Sequence, residues 1–369
     1  MNWTQVRAWR LARHHLLERV EAAHLLEAVS DVCGVHAQLM SSAELSIWAR
    51  VQDVTPERVQ NALWKERSLV KTWAMRGTLH LLPASDMPYY VAASRTRQHY
   101  LTGAWLRYHG VTEDEIEAVI EAMPRALDGR RLTREQLVKE VVGITGLDHL
   151  DKRLMEGWGA LLKPAAYHGH LCFGPSEGQN VTFVRPNQWL NHWREVDSTE
   201  GLKEVARRYL TAYGPATRED FARWWGVGPR PAQDIIESLE GEVEQVNVEG
   251  QRVYALSESV EGMVSLSEPE SVRLLPRFDQ YVVAAYLHCE YLLAGTFKDR
   301  VYRPNGWVSP VLILDGRIAG VWTHERRASR ISLQVEPFEP LTSQLKERIG
   351  DEAERFGDFL GSAAEVSYS

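Results

Sequence analysis

Cysteine is scarce in this chain. Cys33, Cys172 and Cys289 are the three among 369 residues, and none forms a C-x-x-C pair. Such spacing argues against a disulfide framework and reads as reduced, structural thiols of a cytoplasmic protein. Long apolar runs are also missing. None approaches the ~20 residues that span a bilayer, and the charged, amphipathic N-terminus lacks the apolar stretch of a secretory signal. Metal-ligand spacing is absent too. His14 and His15 are adjacent, and His168 and His170 stand two apart, with no Cys or carboxylate at a suitable offset. There is no Gly-rich phosphate loop and no nucleophile elbow. Neither a metal nor another cofactor is expected.

What is present is a chain long enough for several domains, with 44% hydrophobic residues to build their cores. The net charge of −8 is unevenly spread. Residues 65–107 carry seven Lys/Arg against two Asp/Glu, and 271–335 carry nine against five. Residues 237–270 carry one against nine. The overall acidity argues weakly against nucleic acid, whereas the two basic stretches leave room for a polyanionic partner.

A threefold pattern runs along the chain. "TPERVQNAL" at 55, "TREQLVKEV" at 133 and "TREDFARWW" at 217 begin alike. The threonine suits an N-cap, and the acidic residue suits the first turn. Each is followed by two short extended runs that read as a β-hairpin: "VKTWAM" with "TLHLLP", "HGHLCFGP" with "NVTFVRP", and "EVEQVNV" with "QRVYAL". Leading helices are expected over 5–29, 113–127 and 199–213. Helix, helix, hairpin is the order of a winged helix. The expected fold class is therefore α+β. Three tandem winged-helix units cover 1–110, 111–195 and 196–258. A C-terminal β-barrel-like unit and a closing helix cover 259–369.

Three stretches carry polar residues in suggestive places. In "GVHAQL" a helix that stops at Gly34 would leave His36 and Gln38 on extended backbone, aimed the same way. Cys33 three residues earlier makes a Cys–His nucleophile pair conceivable, although a thiol at a helix end more often packs inward. The first hairpin would turn Lys71, Arg76 and His80 to solvent, with Trp73 alternating and Thr78 near the tip, as a basic wing suits a phosphate backbone. "LLPRFDQY" puts Arg277 and Asp279 two apart, as for a local ion pair. The tryptophans, Trp158 and Trp224-Trp225 included, read mainly as core at helical positions.

"VKTWAMRGTLHLLPASD", "LLPRFDQY", "VYRPNGWVSPVLILDGRIAGVW" and "SIWAR" after residue 36 resemble the winged-helix DNA glycosylases of the AlkZ/YcaQ type. The likeness runs over nearly the whole chain in the same order. It implies tandem winged helices and a C-terminal β unit that form a concave surface for duplex DNA. It also implies a monofunctional glycosylase that excises bulky N7-alkylated purines and unhooks interstrand crosslinks. In that family the catalytic motif is Gln-Φ-Gln or Gln-Φ-Asp, with Φ apolar, and His36-Ala37-Gln38 stands in its place. The catalytic positions are then His36 and Gln38, with His where the pattern has Gln. A hairpin of the β unit reaches DNA, and the matching segment lies around Lys298, Arg300 and Arg303. With Lys71, Arg76, Thr78, His80 and Arg277 these make up the expected DNA contacts of a cytoplasmic, nucleoid-associated monomer.

Two other readings stay open. One is a winged-helix DNA binder without catalysis, favoured by His36. The other is a protein-binding scaffold, favoured by the acidic third hairpin. If the chain is a glycosylase, a protonated His36 would repel the sugar cation that develops as the base departs, whereas the neutral ring can hold water or act as base. Excision measured at single turnover across a pH series should rise with pH, and a flat profile would remove His36 from the chemistry.

Overall fold

The computed structural model describes every residue except His192, Tyr286, His288, Ala328 and Ser329, and the backbone alone of Arg327. The chain divides into two compact units. One joins 1–59 to 206–369, and the other is 60–205.

In the 60–205 unit the first hairpin pairs Leu69–Trp73 with Leu79–Pro83. Helix Glu113–Ala126 follows, started by a Thr112 capping box. It buries Ile116, Val119, Ile120 and Met123, one apolar stripe at helical spacing. Helix Arg134–Thr145 begins on Thr133, whose side chain accepts from the Gln136 amide. The second hairpin, Cys172–Glu177 with Asn180–Val184, closes the core, and Leu132–Thr133 pairs on its outer strand. Leu137, Val141, Phe173 and Phe183 meet the helix stripe there. Trp73 belongs to the same core, edge-on to Phe173 at 4.9 Å and stacked on Phe183 at 6.1 Å.

In the other unit, helix Trp3–Arg13 opens the chain. The single helix expected over 5–29 is broken. His15 takes a left-handed φ of 53°, and the Leu16 amide turns back to the Leu11 carbonyl. Helix resumes only at Leu25–Asp31. Helix Ser198–Tyr213 crosses the boundary between the units. Helix Arg218–Trp225 starts on Thr217, and the third hairpin, Val243–Val248 with Gln251–Leu256, turns on Glu249-Gly250. Both turn residues have positive φ, 47° and 93°, as a two-residue hairpin requires.

A five-stranded sheet follows in the order 363–368, 330–337, 317–327, 311–314, 272–275. Helix Ser343–Leu360 does not close the chain as expected. It leads to a last strand, Ala363–Tyr368, that pairs parallel to Arg330–Pro337. This strand alternates exposed and half-buried residues with no strong apolar face, so its sequence carries little strand signal. The helix packs Phe356 against Trp48 and Trp322, centroids 5.6 and 5.4 Å away. Arg19 reaches both oxygens of buried Glu352, at 2.6 and 2.7 Å.

His168 and His170 lie just before the second hairpin, rings 5.8 Å apart. Burial first, then His168, Arg95 and Arg185, push His170 down to about 4, with Glu195 opposing. The unfolded chain would take up a proton near the ordinary ~6.5. Stability from keeping this ring neutral is thus complete above that pH and drains away between 6.5 and 4. His170→Gln should flatten the loss of urea resistance over that interval, and an undiminished slope would assign the effect elsewhere.

Candidate functional site

The site is built on two irregular segments of the unit formed by 1–59 and 206–369. The first follows helix Leu25–Asp31. Cys33 and Gly34 both turn left-handed, φ 59° and 86°, and Val35–His36 emerges as a short strand. The chain then bends through Gln38 into helix Met40–Trp48. The helix stop before His36 is as the sequence suggests. His36 alone sits on strand backbone, however, and Gln38 lies in the bend, so the rule for i and i+2 along a strand does not fix their common direction. His36 is buried and Gln38 half-buried. Cys33 is 1% exposed, a core thiol rather than a nucleophile at a surface.

The second segment is Pro276–Asp279. Asp279 does not pair with Arg277. Its two oxygens accept from Arg50 at 2.7 and 2.8 Å, and both side chains are essentially sealed from solvent, 1% and 0% exposed. One of these oxygens also accepts from the Tyr281 amide, starting the short helix Gln280–Ala284. The local pair fails because Phe278 between the two residues is left-handed, φ 61°, which turns its neighbours apart. Arg277 goes outward and lies over the Trp307 ring, 5.6 Å from its centre.

Phe278 is thereby presented to His36, ring centres 4.9 Å apart. On its other side it meets Trp307 at 5.3 Å. The result is a chain of rings from His36 through Phe278 to Trp307. It ends at a cavity of about 500 Å³ lined by Arg277, Arg300, Arg303, Trp307, Trp322 and Glu336. Arg300 is tied to Glu336, whereas Arg277 and Arg303 form no ion pair among the described residues. The Trp322 indole donates to the Leu275 carbonyl at 2.9 Å, fixing the cavity to the sheet.

The expected DNA contacts therefore separate. Arg277, Arg300 and Arg303 share the cavity. Lys298 does not line it; its ammonium bonds the buried Cys289 thiol. Nor is 298–303 a hairpin. It is a single turn of helix, Lys298–Val301, and a loop. The long hairpin of the sheet is Arg317–Arg327 with Arg330–Pro337. Arg326 and Arg330, near the ends of these two strands, go unmarked in the sequence analysis. There Arg326 bonds Ser362, and exposed Arg330 pairs with Glu365 at 2.8 Å.

Lys71, Arg76, Thr78 and His80 belong to the 60–205 unit. Lys71 is half-buried, its ammonium 5.5 Å from the centre of the Phe173 ring. Arg76 is at the tip with a left-handed φ of 55°. Thr78 hydroxyl donates to the Met75 carbonyl. His80 is not solvent-facing. It is 2% exposed and directly opposite Thr72, itself 3% exposed. Alternation fails because this hairpin is covered on both faces. Among the described residues no three His, Cys, Asp or Glu side chains gather as a metal would require.

Removing Asp279 would leave the Arg50 guanidinium buried without its carboxylate, which costs about 3–5 kcal/mol in such settings. Asp279→Ala should lower the urea midpoint accordingly, and the pair Arg50→Met with Asp279→Leu should recover much of the loss. Equal midpoints for Asp279→Ala and the native chain would deny the ion pair its role.

The profile of the family described as "DNA glycosylase AlkZ-like" matches residues 29–359. A protein of Streptomyces sahachiroi named "Interstrand DNA cross-link repair glycosylase" is 36% identical over 326 residues, 87% of either chain. The solved structure of the "Streptomyces sahachiroi DNA glycosylase AlkZ" superposes with a TM-score of 0.92 over all of both chains at 34% identity. A profile match over most of the chain and a relative of this identity and coverage lead to one conclusion: this chain belongs to the AlkZ-like DNA glycosylase family.

Proposed function

We propose that this glycosylase hydrolyses the N-glycosidic bond of bulky N7-alkylated purines in duplex DNA, and that it unhooks interstrand crosslinks made through such adducts. The observation that carries this reading is His36 buried on its short strand, held by Phe278, with half-buried Gln38 two residues on. An imidazole and a carboxamide suit a reaction that needs little leaving-group help. An N7-alkylpurine already carries positive charge, so its bond to the sugar is weakened. Water oxygen forms the new bond to C1′, the C1′–N9 bond breaks, and its electrons neutralise the departing base. The Gln38 carboxamide can accept from that water and donate to DNA. Neutral His36 can accept the water's proton.

DNA is gripped in this proposal by Arg277 and Arg303 at the cavity and by Arg326 and Arg330 at the hairpin tip, with Arg76 and Lys71 from the first hairpin. The repeated threonine-capped helix and hairpin over 1–110, 111–195 and 196–258 act as winged helices, ahead of a β unit over 259–369. The chain works as a monomer. No helix of the described residues is long and apolar enough to cross a membrane.

A second reading, DNA binding without excision, is favoured by histidine where the family motif has glutamine. The two separate in one assay: duplex bearing an N7-alkylguanine, or a crosslink, is incubated with protein and then heated in alkali. Strand breaks support excision, and salt-sensitive binding without breaks supports the second reading. Gln38→Ala should slow excision by about 100-fold or more, the scale of a lost water-positioning or proton-transfer group, with duplex affinity unchanged within a few fold. Undiminished excision would take Gln38 out of the mechanism.

A further inference from the structure

A second cavity of about 500 Å³ lies wholly within the 60–205 unit, and nothing in the excision chemistry uses it. Its size falls in the ~300–1,000 Å³ range of ligand pockets. Its walls combine aromatic rings, among them Trp105, Tyr108 and Trp158, with Arg76, Arg153 and Lys163. Glu156 is the one carboxylate among its lining residues. His99 and His109 also line it, and burial lowers the pKa of both, so neutral pH leaves three cations against one anion.

Two features show that this wall is built rather than accidental. Tyr108 and Trp158 are 85% and 73% exposed, and they flank the same basic concavity. The sequence had marked Trp158 as core, but it lies in a turn between two glycines, outside any helix. Arg134 fixes that turn by donating to the Glu156 and Gly157 carbonyls, at 2.7 and 3.3 Å. Gly159, φ 63°, sits so close to Trp73 that a Cβ would lie 2.7 Å from its ring. The exposed indole is therefore held on a turn locked into the core. The second feature is Lys163. Its ammonium is half-buried, burial lowers its pKa, and no carboxylate stands within ion-pair distance among the described residues. Arg153, by contrast, is engaged with the His109 and Gly110 carbonyls.

We propose that this cavity binds one unpaired nucleotide, its base stacked on Trp158 and its phosphate held by Lys163 with Arg76. A cation with no acidic partner calls for an anion, and a fixed exposed indole calls for a flat ring. A nucleotide carries both groups on one sugar. A base inside a duplex has both faces covered by its neighbours, so it offers neither face to an indole. An unstacked one does, and base–aromatic stacking is worth ~1–3 kcal/mol. The nucleotide can come from a locally opened DNA strand or from free solution.

The test uses the full chain with three probes: a labelled intact duplex, the same duplex with one unpaired thymidine, and thymidine monophosphate. The unpaired thymidine should tighten binding by about tenfold, the scale of one stacked base. Trp158→Ala should abolish that preference, and Lys163→Met should reduce it, in proteins whose circular dichroism is unchanged. Saturable quenching of tryptophan emission by thymidine monophosphate, lost in Trp158→Ala, would make free nucleotide the source. Preference for the unpaired duplex without such quenching would make DNA the source. Equal affinity for both duplexes with no response to the monophosphate overturns the proposal, as does a full preference retained by Trp158→Ala.

Discussion

The buried pair of Arg50 and Asp279 is the constraint on which the site depends. The two residues stand 229 positions apart in sequence, yet they meet through two hydrogen bonds in a region closed to water. Desolvating both charges is expensive, and a well-packed apolar pair often does as well for stability. What an apolar pair would lack is direction. Arg50 also donates to the Ser46 carbonyl, and Asp279 also caps the next helix. The pair therefore fixes the rotation of two segments as well as their contact. Phe278, next to Asp279, receives its orientation from that lock and passes it to His36.

The chemistry surrounding that lock is spare. Among the described residues the two segments and the cavity bring together a carboxamide, an imidazole, a run of rings, three guanidinium groups and the Glu336 carboxylate. If the base leaves already charged, as proposed, such a set has only to place water against the sugar. Crowding is managed by aromatic rings, which are stiff and cost little entropy to order. The basic wall stands at the far end of the ring chain, so in the proposed reading phosphate charge and reacting carbon need not compete for one place.

Local features were legible in the sequence and distant ones were not. The three hairpins and the threonine caps could be read because each depends on a few consecutive residues. The helix stop ahead of His36 was legible for the same reason. Arg277 with Asp279 misled because neighbours in sequence were taken as neighbours in space, and a left-handed Phe278 parts them. His80 misled because alternation predicts a wet face only where one face is wet. Trp158 misled because its helical spacing runs on past Leu154, where the helix already stops, into a turn between Gly157 and Gly159. Of the site itself, motif likeness supplied His36 and Gln38, whereas Trp307 and the Arg50 lock needed the folded chain.

The discontinuity of the larger unit has a consequence for synthesis. Residues 60–205 carry a complete core of their own and can fold while the rest of the chain is still being made. The segment holding His36 and Gln38 is made before residues 60–205, yet part of what holds it is made well after them. Phe278, Trp322 and Phe356 all belong to the later half, and the strand Ala363–Tyr368 pairs at the sheet's edge. A chain cut short before Phe278 therefore lacks the ring that meets His36.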